Sequence, residues 1–164
     1  MKSNYQQAFA AFANTVYDLP SVTRLLDELR LVERSLFKEK PGTISAKAKD
    51  YITGRIISIF EEIELAGLEP ADDRGQLELL RDVITYLSNL PQVKVTLAFD
   101  PTASFINRLN GQISDQTRTK VILDVVVDDH IIAGAIFEYG GKISESTLQN
   151  KLELTLSTLI ARTG

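Results

Sequence analysis

Residues 119–153 read TKVILDVVVDDHIIAGAIFEYGGKISESTLQNKLE, and their patterning decides the second half of the fold. Two apolar strand-like runs, from Lys120 to Val127 and from Ile131 to Tyr139, flank the polar Asp128-Asp129-His130. The first run is apolar on both faces, which predicts a central strand. The second follows a short turn, which predicts an antiparallel neighbour. Gly140-Gly141 then turns the chain, and Ser144 is the expected start of an amphipathic helix carrying Leu148, Leu152, Leu156 and Leu159. Just upstream, Val93, Val95, Leu97 and Phe99 alternate with Lys94, Thr96 and Ala98, the period of a half-buried strand. Asp100-Pro101 reads as a cap with a first-turn proline, opening a helix that buries Phe105, Ile106, Leu109 and Ile113. A strand, a helix and a strand in that order predict a parallel pair with a right-handed crossover.

Before Pro91 the period is helical. Tyr5, Ala8, Phe9, Phe12, Ala13 and Val16 share one face of a short first helix. Val22, Leu25, Leu26, Leu29, Val32 and Leu36 stripe a second, ended by Lys40-Pro41-Gly42. A third is expected from Thr43 or Ser45 through Ile63, with Gly67 as its stop. After a linker at residues 69–73, a fourth runs from Gln76 to Ser88 with Leu77, Leu80, Val83, Ile84 and Leu87 inward. The reading is α+β: a shortened N-terminal helical bundle over residues 1–90, then a small β-α-β-β-α domain over residues 91–164.

The chain has 164 residues, 44% hydrophobic and 24% charged, which suits a globular protein able to build its own core. It has no cysteine, which excludes thiol catalysis, thiolate metal sites and disulfides. A net charge of −4 disfavours broad binding to nucleic acid. The N-terminus reads as neither a secretory signal nor a transit peptide. No run of eighteen apolar residues occurs, so direct membrane insertion is not expected.

Candidate chemistry fares poorly against simpler explanations. His130 is the single histidine, and neighbours on a strand point to opposite faces, so Asp128, Asp129 and His130 read as a polar turn rather than a metal site. Gly140-Gly141-Lys142 lacks the four-residue spacer and the hydroxyl residue of a phosphate loop. Glu61, Glu62 and Glu64 sit on a helix face and Asp72-Asp73 in a linker, where solvated charge is the default. Ser35, Ser58 and Ser104 have no histidine to activate them. The expectation is no enzyme, no cofactor and no metal.

The same residues resemble a known family. Asp129-His130-Ile131-Ile132-Ala133-Gly134-Ala135-Ile136-Phe137, continuing through Tyr139-Gly140-Gly141-Lys142-Ile143 into Leu148 and Lys151-Leu152-Glu153, is similar to the C-terminal pattern of the delta subunit of F-type ATP synthases, the oligomycin-sensitivity-conferring protein of mitochondria. Tyr5, Ala8, Phe9, Phe12 and Ala13 resemble the family's first helix. Phe37, Pro41, Ile44, Ser45 and Lys47 resemble its loop before the third helix, and Arg74, Leu77, Leu80, Val83 and Ile84 the helix leading into Val93-Lys94-Val95-Thr96. The chain departs from the pattern at Ala133-Gly134, usually Gly-Gly, and at Glu145-Ser146-Thr147, usually Asp-Gly-Ser. Its stretch from Gly67 to Arg74 is shorter than the family's, hence a shortened bundle.

The resemblance implies a non-catalytic stator subunit at the cytoplasmic face of a bacterial membrane. It would link the catalytic head to the peripheral stalk and resist rotor torque during proton-driven ATP synthesis. The implied partners are the N-terminal helix of an α subunit and the b subunits of the stalk. Expected head contacts are Tyr5, Phe9, Phe12 and Ile84; expected stalk contacts are Ile132, Phe137, Leu148 and Leu152. The alternative is a small assembly or regulatory binding module with a β-α-β-β-α ligand domain, marked by an apolar pocket near the sheet.

Overall fold

The computed structural model describes residues 5–38, 41–131 and 134–147. It divides into two compact units, one of residues up to Val16 and from Pro20 to Leu90, the other of Tyr17–Leu19 and the chain from Pro91 onward.

The first unit is helical: α1 (Gln6–Ala13), α2 (Leu19–Ser35), α3 (Ile44–Ala48), α4 (Gly54–Leu65) and α5 (Asp73–Ser88). Each helix turns its apolar stripe inward, so Phe12, Leu29, Val32, Phe60, Leu80 and Val83 are all fully buried. The single third helix expected from sequence is two helices, because the chain restarts at Thr53-Gly54. There the Thr53 amide and hydroxyl both donate to Glu28 Oε2 of α2, at 3.1 and 3.2 Å, in place of a helical ladder. A mid-helix glycine would also cost about 1 kcal/mol against alanine. Gly67 ends α4 as expected, at φ +66°, with Leu68 N–H donating to Ile63 O and Gly67 N–H to Glu64 O. Asp72, expected in a linker, caps α5 by accepting from Gly75 N–H at 3.2 Å.

The second unit holds β1 (Gln92–Leu97), α6 (Ala103–Thr117), β2 (Ile122–Val127), β3 (Gly134–Tyr139) and β4 (Lys142–Thr147). α6 starts two residues later than Asp100-Pro101 suggests, capped by the Thr102 hydroxyl, which accepts from Phe105 N–H at 3.3 Å. β1 and β2 are parallel, as the crossover requires. Three details differ from the sequence reading. The strand order is β2-β1-β3-β4, so β1 is central and β2 lies at an edge. β3 pairs antiparallel with β1, not with β2. Residues 142–147, where Ser144 was expected to open a helix, form a fourth strand paired with β3.

Each difference has a local cause. β2 is buried only at its start, through Val121, Ile122 and Leu123. There its outer edge is covered: Leu123 N–H donates to Tyr17 O at 3.0 Å, and Asp18 bridges Leu123. Gly140 and Gly141 have φ of +57° and +75° and join the paired Tyr139 and Lys142. Two positive-φ residues in a two-residue loop make the tight hairpin whose twist suits antiparallel strands, so a strand must follow. The expected helix stripe of Leu148, Leu152, Leu156 and Leu159 lies outside the described residues.

Candidate docking surfaces

α1 packs against α4 and α5. Its aromatic residues face inward: Phe9, 2% exposed, stacks on Tyr86 with ring centroids 5.1 Å apart. Phe12, 0% exposed, meets Phe60 edge-on at 5.2 Å. Both were expected at a docking surface; the structure places them in the core, because a short helix flanked by two others needs its largest side chains there. Ile84 is half-buried on α5.

What α1 leaves outward are its flanks. Between α1 and α4 runs a shallow depression of about 60 Å³, floored by Ala8, Ala11, Ile59, Ile63 and Leu68. The 88% exposed Leu65 adjoins Ala66 of its lining. Beside α5 a wider hollow of about 300 Å³ sets Tyr5 near Pro70 and Leu79, with Asp72, Arg74, Glu78 and Asp82 around it. Of the expected head contacts, Tyr5 is the one lining a surface feature. Ala8 and Ala11 of α1, whose small size was read in sequence as permitting close helix approach, line the α1–α4 depression.

The first unit also contains a buried polar knot. Lys47 Nζ donates to Asp73 Oδ1 at 2.6 Å and to Gln76 Oε1 at 2.8 Å. Gln76 Nε2 donates to Gly42 O and to Glu69 Oε1, both at 2.9 Å. Glu69 Oε1 also accepts from Ile44 N–H at 2.7 Å, and Ser45 Oγ donates to Glu64 Oε2 at 3.0 Å. Sequence reading missed this knot; a lysine and a glutamine at inward positions of α3 and α5 were its only signal.

In the second unit Val93, Val95, Leu97, Val121 and Leu123 form the core, with Phe105, Ile106, Leu109 and Ile113 of α6 packed on them. Those four residues are only half-buried. Beside α6 lies a groove of about 400 Å³, with Val93, Leu109, Ile113, Phe137 and Tyr139 lining it and Gln112, Gln116 and Thr117 at its polar parts. Of the expected stalk contacts Phe137 is in this groove, while Ile132, Leu148 and Leu152 lie outside the described residues. Tyr139 was missed, although its spacing of two from Phe137 puts both on one face of β3. Midway along α6, Asn110 is buried; its amide donates to Val121 O at 2.7 Å and Tyr17 O at 3.0 Å, and its oxygen accepts from Lys120 Nζ at 2.8 Å. Burial holds the Lys120 ammonium below its ordinary pKa.

The Asp128-Asp129-His130 turn departs from expectation in one respect. These residues follow β2 rather than lying within it, so their side chains converge: His130 Nδ1 is 2.9 Å from Asp128 Oδ1 and 3.2 Å from Asp129 Oδ1. Among the described residues these donors, all within 4.8 Å of one another, could reach a single cation. Asp129 and His130 are exposed and Asp128 is half-buried. The His130 backbone N–H, then its ring, hold the Asp128 carboxyl below the usual carboxylate range.

The profile of the ATP synthase delta (OSCP) subunit matches residues 2–159, nearly the whole chain. The chain belongs to the ATP synthase delta (OSCP) family. It is 24% identical over 163 residues to ATP synthase subunit delta of Heliobacterium modesticaldum, with 86% of each chain covered. It is 22% identical over 145 residues to ATP synthase subunit delta of Fervidobacterium nodosum, covering 87% of this chain and 68% of that protein. A chain of the Toxoplasma gondii mitochondrial ATP synthase hexamer matches 96% of this chain and 81% of its own length, with a TM-score of 0.39 and 11% identity, too loose to carry residues across. As a delta-family chain it is a stator-linking subunit of an F-type ATP synthase, a non-catalytic component of that complex. Among the described residues no helix is long and apolar enough to cross a membrane, which fits peripheral association through the complex.

Proposed function

We propose that this delta-family chain works as two docking domains, residues 1–90 holding the N-terminal helix of an α subunit and residues 91–164 holding the C-terminal ends of the b subunits. The complex then sits at the cytoplasmic face of a bacterial membrane, and this chain passes torque from head to stalk without chemistry of its own. The observation that carries the reading is the delta (OSCP) family match over residues 2–159. The groove beside α6, where Leu109, Ile113, Phe137 and Tyr139 leave apolar surface open, supplies a docking place but would equally suit a binding module. The α1–α4 depression, floored by alanines and isoleucines, supports a second docking place for an amphipathic helix. Tyr5 is the head contact retained from the sequence reading, and Phe137 the stalk contact.

Physics gives the joint a scale. A motor turning over at about 10² per second needs a joint that outlives many cycles. Dissociation near 10⁻² per second with ordinary association near 10⁶ per molar per second gives a dissociation constant of about 10⁻⁸ M, or roughly −11 kcal/mol. Covering the open parts of Leu109, Ile113, Phe137 and Tyr139 in the groove yields about 1 kcal/mol each, before association costs are subtracted. That sum, about 4 kcal/mol at most, falls short of the target, so contacts beyond the groove must supply the rest of the affinity.

The test is calorimetric titration of the full chain with two synthetic peptides. One is the N-terminal helix of the cognate α subunit, the other the C-terminal helix of the cognate stalk b protein. Each is expected to saturate independently, with Ile113→Ala weakening the second and not the first. Saturation by neither at about 50 µM, the equivalent of roughly −6 kcal/mol, refutes the reading.

A further inference from the structure

The polar knot of the first unit holds the chain segment that borders α1 on both sides. Leu68 lines the α1–α4 depression, and Pro70 and Asp72 line the hollow at Tyr5. Glu69 lies between them and ties this segment to two other elements through a single oxygen: Oε1 accepts from Ile44 N–H at the start of α3 and from Gln76 Nε2 on α5. Its second oxygen, Oε2, is buried with no hydrogen-bond partner among the described residues. The charges of Glu64 on α4 and Lys47 on α3 act on Glu69, and Asp73 of α5 lies against Lys47. Lys47 directs its ammonium to Asp73 and Gln76 rather than to Glu69. An ionised carboxylate with one oxygen buried and without a partner, beside a cation engaged elsewhere, is costly because that oxygen has lost its water.

We propose that Glu69 is a proton-operated clasp: with a proton bound it locks Leu68–Asp72 to α3 and α5, and losing that proton favours an opened segment in which the carboxylate is solvated. Burial first of all, with Glu64 adding to it, pushes the Glu69 carboxyl above its ordinary pKa, against the lowering effects of the Ile44 N–H, Lys47 and Gln76. Because the closed form binds the proton more tightly than the open form, closure is fully favoured below the ordinary glutamate pKa. It weakens as pH rises from that value through the raised one, by at most tenfold per pH unit for one proton. Any effect on head docking rests on the function proposed above; the clasp itself does not.

The experiment therefore uses the full chain without a partner. Glutamates labelled with ¹³C at the side-chain carboxyl are titrated by NMR, the Glu69 signal being assigned by through-bond correlation, and the exchange protection of the Ile44 amide is followed over the same pH range. The expected result is that Glu69 titrates highest among the glutamates and that Ile44 protection, corrected for intrinsic exchange, falls up to tenfold per unit through that midpoint. In Glu69→Gln the Ile44 profile becomes flat across the window. Titration of Glu69 together with the exposed glutamates overturns the proposal, as does Ile44 protection that ignores the Glu69 midpoint. Both readings come from the wild-type chain, so they stand even where the variant fails to fold.

Discussion

In the N-terminal unit the aromatic residues face one another, Phe12 against Phe60 and Phe9 against Tyr86, and the stripes of α2, α4 and α5 close over them. In the C-terminal unit the sheet core is equally dry at Val93, Val95 and Leu123, yet the helix laid over it keeps its four apolar residues half open beside a groove. The contrast teaches where a non-catalytic linker holds its spare affinity. A bundle of short helices needs every large side chain for its own stability, so what it offers a partner is small residues between ridges. Among the described residues one helix lies across the four-stranded sheet and does not cover its whole face, so larger side chains remain on offer.

Exchanging matched truncations between the units should break or uphold this contrast. Phe12→Ala removes a fully buried ring from the centre of the bundle and should cost about 3–5 kcal/mol in chemical denaturation of the full chain. Ile113→Ala removes a half-buried side chain and should cost no more than about 1 kcal/mol, while weakening the stalk peptide. If Ile113→Ala destabilises as much as Phe12→Ala, the groove is interior and not a docking surface. Next in size is Lys47→Met, which keeps the stem but leaves Asp73 and Gln76 without the buried ammonium. Loss of about 2–4 kcal/mol is expected, and Asp73→Asn should lose less because that carboxylate is partly solvated.

The ranking of these effects bears on what could be read from the sequence. The stripes of α1 and α2 were legible because amphipathic period and burial coincide, as they do at Val22, Leu25, Leu29 and Val32. On α5 the expected stripe was only partly right, since Leu77 and Ile84 are half-buried and Leu79 is buried in their place. The parallel β1–β2 pair followed from connection length and handedness alone. The edge position of β2 was not legible, because the segment that pairs along its outer edge, Tyr17–Leu19, lies some hundred residues away in sequence. The fourth strand was legible in principle: Gly140-Gly141 is a hairpin signal, and reading Ser144 as a cap let a local propensity outweigh it. For the docking residues, periodicity identified which side chains are apolar but not which of them the fold itself uses. Phe9 and Phe12 look the same in sequence as residues left over for a partner.

A smaller effect is expected at Asn110, where one buried amide holds Val121 and Tyr17 to α6. Asn110→Ala leaves two carbonyls and the Lys120 ammonium short of a partner, which should cost about 1–3 kcal/mol. Faster amide exchange at Leu123, whose N–H rests on Tyr17 O, would locate the damage at the β2 edge. Exchange unchanged there would mean that the edge strand stays covered without the amide.

The smallest change sharpens the contrast from the side of the bundle. Gly75 stands in the first turn of α5, where alanine would ordinarily gain about 1 kcal/mol in helix propensity. A Cβ at this position would come within 2.6 Å of Pro70 Cβ and 3.0 Å of Asp72 Oδ1, the carboxylate that caps the helix. Pro70 is a rigid ring on a short connection, so it cannot give way as a flexible side chain would, and moving it displaces Glu69 with it. Overpacking of this kind outweighs the propensity gain, and Gly75→Ala should lower stability by about 1–2 kcal/mol in denaturant melts. Ser58, on an exposed position of α4, gives the control: Ser58→Ala should be neutral or slightly stabilising. Should Gly75→Ala prove as mild as Ser58→Ala, the segment from Leu68 to Asp72 yields easily, and the bundle's flank is a softer surface than its close contacts suggest.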